Sequence, residues 1–133
     1  MKIITFLFLL LFSMSTHASC VILLHGLART SASMEALETA LFEEGFIVIN
    51  EGYPSREHSI EELAALAVKP ALEKCPEDDK VNFVTHSLGG ILVRQYLSTY
   101  QIENLNRVVM LSPPNKGSEV VDTLGGIFTI FPR

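Results

Sequence analysis

Apolar and polar positions along this chain switch between two periods. Four short runs are nearly continuous in apolar residues: CVILL at 20–24, FIVI at 46–49, VNFV at 81–84 and RVVML at 107–111. Such runs read as strands buried on both faces of a parallel sheet. Between them the apolar residues fall at helical spacing. Met34, Leu37 and Leu41 share one face of a helix expected over 33–44, with Ser33 as its cap and Gly45 as its left-handed stop. Ser59 and Glu62 have the spacing of a capping box, ahead of a helix with Ile60, Leu63, Ala67 and Ala71 on one side. Pro70 is expected to kink or shorten that helix, and Cys75-Pro76 to end it. A third helix carries Leu88, Ile91, Leu92 and Tyr96 on its apolar side and leaves Arg94 and Gln95 to a wetter one. The links are polar: a loop at 50–58 with Gly52, Pro54 and Ser55, an exposed acidic turn at 77–80, and a stretch at 101–106. Strands alternating with helices predict an α/β fold, a three-layer α/β/α arrangement on a parallel sheet with right-handed crossovers.

The third strand passes into the third helix with almost no loop. Thr85, His86, Ser87, Leu88, Gly89 and Gly90 make the junction. So short a link forces one residue into a strained turn and needs small neighbours where the helix packs back on the strand. Its geometry presents the Ser87 hydroxyl at the top of the sheet, beside the first N–H groups of the helix. A serine at such a junction also suits a plain helix cap. Thr85-His86-Ser87-Leu88-Gly89 resembles the nucleophile elbow Gly-x-Ser-x-Gly of the α/β-hydrolases, lipases and esterases above all, with threonine at the first glycine. His25-Gly26-Leu27 after the first strand is similar to the loop that supplies the second oxyanion donor in that family. The resemblance extends over 20–118, ending in a proline-bearing turn that runs into Gly117-Ser118, with Ser118 capping a short helix. It implies that Ser87 is the nucleophile and that the backbone N–H groups of Leu27 and Leu88 hold the oxyanion. His25, Gly26, His86, Gly89 and Gly90 then support the loop and the elbow. His25 is expected to brace its loop rather than act as a base. Tyr53 and Arg56 are candidates for the substrate entrance, against the alternative of a solvated loop.

The start of the chain alters the picture in another way. Met1-Lys2 is followed by an apolar run at 3–12 and a small, polar stretch at 13–19. This is the pattern of a secretory signal peptide over residues 1–18, cut after Ala18, and it is too short for a membrane span. Lipidation at Cys20 is the alternative, but His17 stands where an aliphatic residue is wanted. Export, to the periplasm or outside the cell, favours a Cys20–Cys75 disulfide over a metal site, with two independent buried thiols as the other option. The 133 residues carry 10 basic and 15 acidic side chains, a net charge of −5, and no basic run, which argues against a nucleic-acid surface. No Gly-x-Gly-x-x-Gly and no Gly-Lys-Ser/Thr follows a strand, so neither a dinucleotide nor a P-loop site is expected.

A serine hydroxyl needs a base, and the base needs an orienting group. In the family the order is serine, acid, histidine, yet His17, His25, His58 and His86 all precede Ser87. Asp122 sits too early to be the triad acid, and His58 is the best placed of the histidines. Residues 19–133 therefore read as a partial α/β-hydrolase domain, truncated after the strand that follows the nucleophile helix. Ile127, Phe128, Ile130 and Phe131 then lack a clear home. The expected activity is serine ester hydrolysis on a small-molecule or lipid ester, with no metal or cofactor and no stable membrane span once the signal is removed. The alternatives are a catalytically inactive acyl-binding remnant, and a thioesterase or acyltransferase on the same scaffold. Nothing in the sequence sets an oligomeric state.

Overall fold

A computed structural model of the chain describes residues 18–116. Four strands, β1 (Cys20–Leu24), β2 (Ile47–Glu51), β3 (Val81–His86) and β4 (Leu105–Leu111), alternate with helices α1 (Glu35–Glu43), α2 (Ile60–Lys74) and α3 (Leu88–Thr99). The strands form one sheet in the order β2-β1-β3-β4, and every neighbouring pair is parallel. The chain is thus a parallel four-stranded α/β domain.

Strand periodicity distributes the core. Alternate residues of β1 point to opposite faces, and two apolar clusters result. Ile22 and Leu24 join Phe83, Leu63, Ala67, Leu92 and Val93, so α2 and α3 share one face. Val21 and Leu23 join Met34, Leu37 and Leu41, so α1 covers the other. β1 is buried throughout, whereas β3 alternates between buried and half-buried residues and β4 exposes Val109 and Leu111. The continuous apolar runs had suggested full burial, but α1 covers only the β2–β1 half of its face. Phe83 is wholly buried and contributes about 2–3 kcal/mol by its removal from water.

Several local expectations hold. Gly45 has φ +89° beyond α1. Ser59 and Glu62 make a reciprocal capping box, and Cys75 caps the far end of α2. Others are corrected. Ser33 does not cap α1. A 3₁₀ turn at Ser31–Met34 precedes the helix, and the Ser33 hydroxyl donates to the Thr30 carbonyl instead. Pro70 does not shorten α2, which continues to Lys74. β2 is shifted toward its C-terminal end relative to 46–49, and β4 begins at Leu105, opposite Val81, with an irregularity before Arg107. Asp79 is buried rather than part of an exposed turn.

Cys20 and Cys75 form a disulfide with Cα atoms 5.8 Å apart, 55 residues apart in sequence. It ties the first residue of β1 to the end of α2. Such a bond is compatible with an oxidising compartment and does not by itself establish one. Among the described residues no helix is long and apolar enough to cross a membrane, and no cluster of ligating side chains fits a metal ion. The expected signal peptide, the Ser118 cap, Asp122 and the apolar stretch at 127–131 lie outside the described residues.

Candidate functional site

From β1 the chain moves one way, to β2, and then returns past β1 to β3 on the other side. The helices that follow β1 and β3 lie on opposite faces of the sheet. The C-terminal ends of these two strands therefore form the topological switch point, whose crevice is the usual ligand position in open α/β sheets. Gly26 and Ser87 stand on its two sides.

Ser87 occupies the single position between β3 and α3, with φ +49° and ψ −113°. Positive φ in a residue with a Cβ is costly, of order 1–3 kcal/mol, and persists where the surroundings over-determine it. Three of those surroundings are identifiable. The Ser87 N–H donates to the Leu111 carbonyl at 2.9 Å, tying the turn to the end of β4. Gly89 allows α3 to approach β1 closely, since a Cβ there would lie 2.6 Å from the Leu24 carbonyl oxygen. Gly90 leaves room for Thr85, whose hydroxyl would be 3.2 Å from a Cβ at that position. Thr85 is fully buried, and the absence of a side chain at Gly90 leaves room for threonine where the elbow pattern has glycine.

Although Ser87 is the residue before α3, its hydroxyl makes no capping bond. The plain-cap alternative is therefore not what the turn does. Among the described residues the N–H groups of Leu27 and Leu88 have no acceptor. The glycine loop comes close to the serine: a Cβ on Gly26 would lie 3.4 Å from the Ser87 Cβ and 2.8 Å from Nδ1 of His86. A crevice with a hydroxyl and a helix N-terminus at its edge suits attack on a carbonyl and stabilisation of the oxygen that becomes charged.

His25 is fully buried behind this loop. Its Nδ1 lies 2.9 Å from the Gly26 carbonyl, and its Nε2 accepts the Tyr53 N–H at 3.3 Å. Those partners assign a neutral imidazole protonated on Nδ1. Burial lowers the His25 pKa below 6.5, against an opposing pull from the Gly26 carbonyl. The ring stacks on Tyr53 at 4.1 Å, and the Tyr53 hydroxyl donates to the His25 carbonyl. Burial also pushes the Tyr53 phenol above its usual value. With both nitrogens committed, His25 braces the loop. Tyr53, one of the two entrance candidates, is buried in the same brace, while Arg56 is exposed on a groove beside it.

Among the described residues, neither of the other two histidines hydrogen-bonds to the Ser87 hydroxyl. His58 is half-buried beside Glu62 at 3.6 Å, and no hydrogen bond joins His86 to Ser87 among the described residues. A larger concavity of about 630 Å³, lined by Leu72, Glu73, Cys75, Ile102 and Glu103, lies by the amino ends of β3 and β4, away from the crevice. The His25–Tyr53 brace had no signal in the sequence, since its partners are 28 residues apart.

The fold and this crevice define an α/β domain with a strained serine at its topological switch point. No protein-family model matches the chain, and no curated protein matches it in sequence.

Proposed function

We propose that this chain carries the nucleophile of a serine ester hydrolase of the α/β-hydrolase type, related to lipases and carboxylesterases. Ser87 attacks the acyl carbon of a small-molecule or lipid ester. The N–H groups of Leu27 and Leu88 receive the developing oxyanion, each worth a few kcal/mol of barrier. The observation that carries this reading is the uncapped, positive-φ Ser87 between β3 and α3, with Gly26 packed against it. Export is part of the same reading, supported by the apolar start of the sequence and the Cys20–Cys75 bond.

One observation favours a second reading, a pocket that binds acyl compounds without turnover. The described histidines do not hydrogen-bond to Ser87. A serine without a base keeps only the rate enhancement of binding and the oxyanion hole. Hydrolysis of a short-chain chromogenic ester by the 133 residues is therefore expected to be slow, and to disappear in Ser87→Ala. Fast turnover abolished by His58→Ala identifies His58 as the base. Turnover unchanged in Ser87→Ala rejects Ser87 as the nucleophile.

A further inference from the structure

The loop after β2 closes against the continuation of the glycine loop and leaves a groove of about 280 Å³. Ala28, Arg29 and Thr30 line one side, and Tyr53, Ser55 and Arg56 line the other. The groove is built rather than incidental. The Ala28 N–H donates to the Ser55 hydroxyl oxygen at 3.1 Å, and Tyr53 is locked to His25 from behind. Ser55 is 4% exposed, and its hydroxyl hydrogen meets no acceptor among the described residues. A buried donor left without an acceptor is unfavourable, and here it lines the groove. The Arg29 guanidinium makes no ion pair or hydrogen bond among the described residues. Arg56 is engaged within the protein and adds its charge to the lining, against one carboxylate, Glu57. Ala28 follows Gly26 by two residues, at most about 7 Å of chain. A Cβ on Gly26 would be 3.4 Å from that of Ser87.

Resting on the hydrolase reading above, we propose that this groove receives an anionic group of the ester substrate, a carboxylate or a phosphate. Guanidinium presents a planar fork of donors that matches both. The Ser55 hydroxyl supplies a further donor from the buried side. The substrate class is then an ester whose charged group lies within a short chain's length of the acyl carbon.

The test is calorimetric titration of the folded, oxidised chain at low ionic strength, where exposed charge is least screened. Monomethyl glutarate and phenyl phosphate are the anionic probes, and dimethyl glutarate is the neutral control. At least one anion binds and the neutral diester does not. Arg29→Gln weakens that binding about tenfold or more, while Arg29→Lys, which keeps charge without the fork, falls between. Arg29 is exposed, so these variants fold as the parent does, and circular dichroism checks this. The ratio of the two anion affinities separates carboxylate from phosphate. No anion binding, or binding indifferent to Arg29→Gln, overturns the inference. Reaction of Ser87 with a neutral fluorophosphonate is scored separately. Reaction without anion binding sinks the anionic subsite alone, and anion binding without reaction sinks the ester-substrate assignment.

Discussion

Replacing Gly89 with alanine is the sharpest probe of how α3 is seated. The added Cβ would stand 2.6 Å from the Leu24 carbonyl oxygen and 2.9 Å from the Leu24 Cβ. Leu24 ends a strand that is buried throughout and paired on both sides, so it has little room to yield. Restoring ordinary contact moves the helix start by about 0.8 Å. Overpacking against such a site costs about 1–3 kcal/mol, and alanine's advantage over glycine in a helix returns at most about 1 kcal/mol. A net loss of roughly 1–2 kcal/mol lowers Tm by roughly 4–8 °C in a domain of this size. The same displacement carries the Leu88 N–H away from its place beside Ser87. Misplacement of about 1 Å costs about a hundredfold in rate at a well-organised site, so Ser87 is expected to react roughly ten- to a hundredfold more slowly. Thermal denaturation and the rate of fluorophosphonate modification read the two effects. Gly26→Ala is the comparator, because the nearest atom it meets, Nδ1 of His86 at 2.8 Å, belongs to a side chain that can move. A Gly89→Ala protein with undiminished Tm and unchanged reactivity refutes the close seating of α3 on β1.

Three further outcomes follow from the geometry. Reducing the Cys20–Cys75 bond, which closes a loop of 55 residues, lowers stability by about 4 kcal/mol in urea denaturation; an unchanged midpoint with reductant contradicts this. Because burial lowers the His25 pKa below 6.5, the unfolded chain binds the proton more readily than the folded one. His25 thus contributes stability that is fully present above pH 6.5 and is lost as pH falls through its lower folded-state value, at up to about 1.4 kcal/mol per pH unit. Denaturation midpoints across that window, compared with His25→Gln, check the sign. Tyr53→Phe leaves the buried His25 carbonyl without its hydroxyl donor and destabilises by about 1–3 kcal/mol; a neutral result contradicts the brace.

What was legible in the sequence was local. The change from strand period to helix period around Ser87, with two glycines following, is enough to predict a tight junction, because chain geometry leaves few alternatives. The Ser59–Glu62 box and the Gly45 stop are likewise written in neighbouring residues. Less legible were features decided by distant partners. β4 starts at Leu105 because Val81 lies opposite it, although Leu105, Asn106 and Arg107 read as linker and strand edge. Ser33 looked like a cap, but the chain leaving Thr30 winds into a 3₁₀ turn that takes up its hydroxyl. A bracing part for His25 was legible, but not the partner it braces against. That partner is Tyr53, from a different loop, on which the buried ring stacks. The groove of Arg29 and Ser55 arises the same way, from two loops that meet only in the fold.

The most direct test of the central claim is the site of covalent modification by a neutral fluorophosphonate. The folded, oxidised chain is incubated for an extended period and mapped by peptide mass, beside a urea-unfolded sample and Ser87→Ala. Slow phosphonylation confined to Ser87 of the folded protein, absent from both controls, is the expected result. No modification of the folded chain, or equal modification of Ser87→Ala, would contradict it.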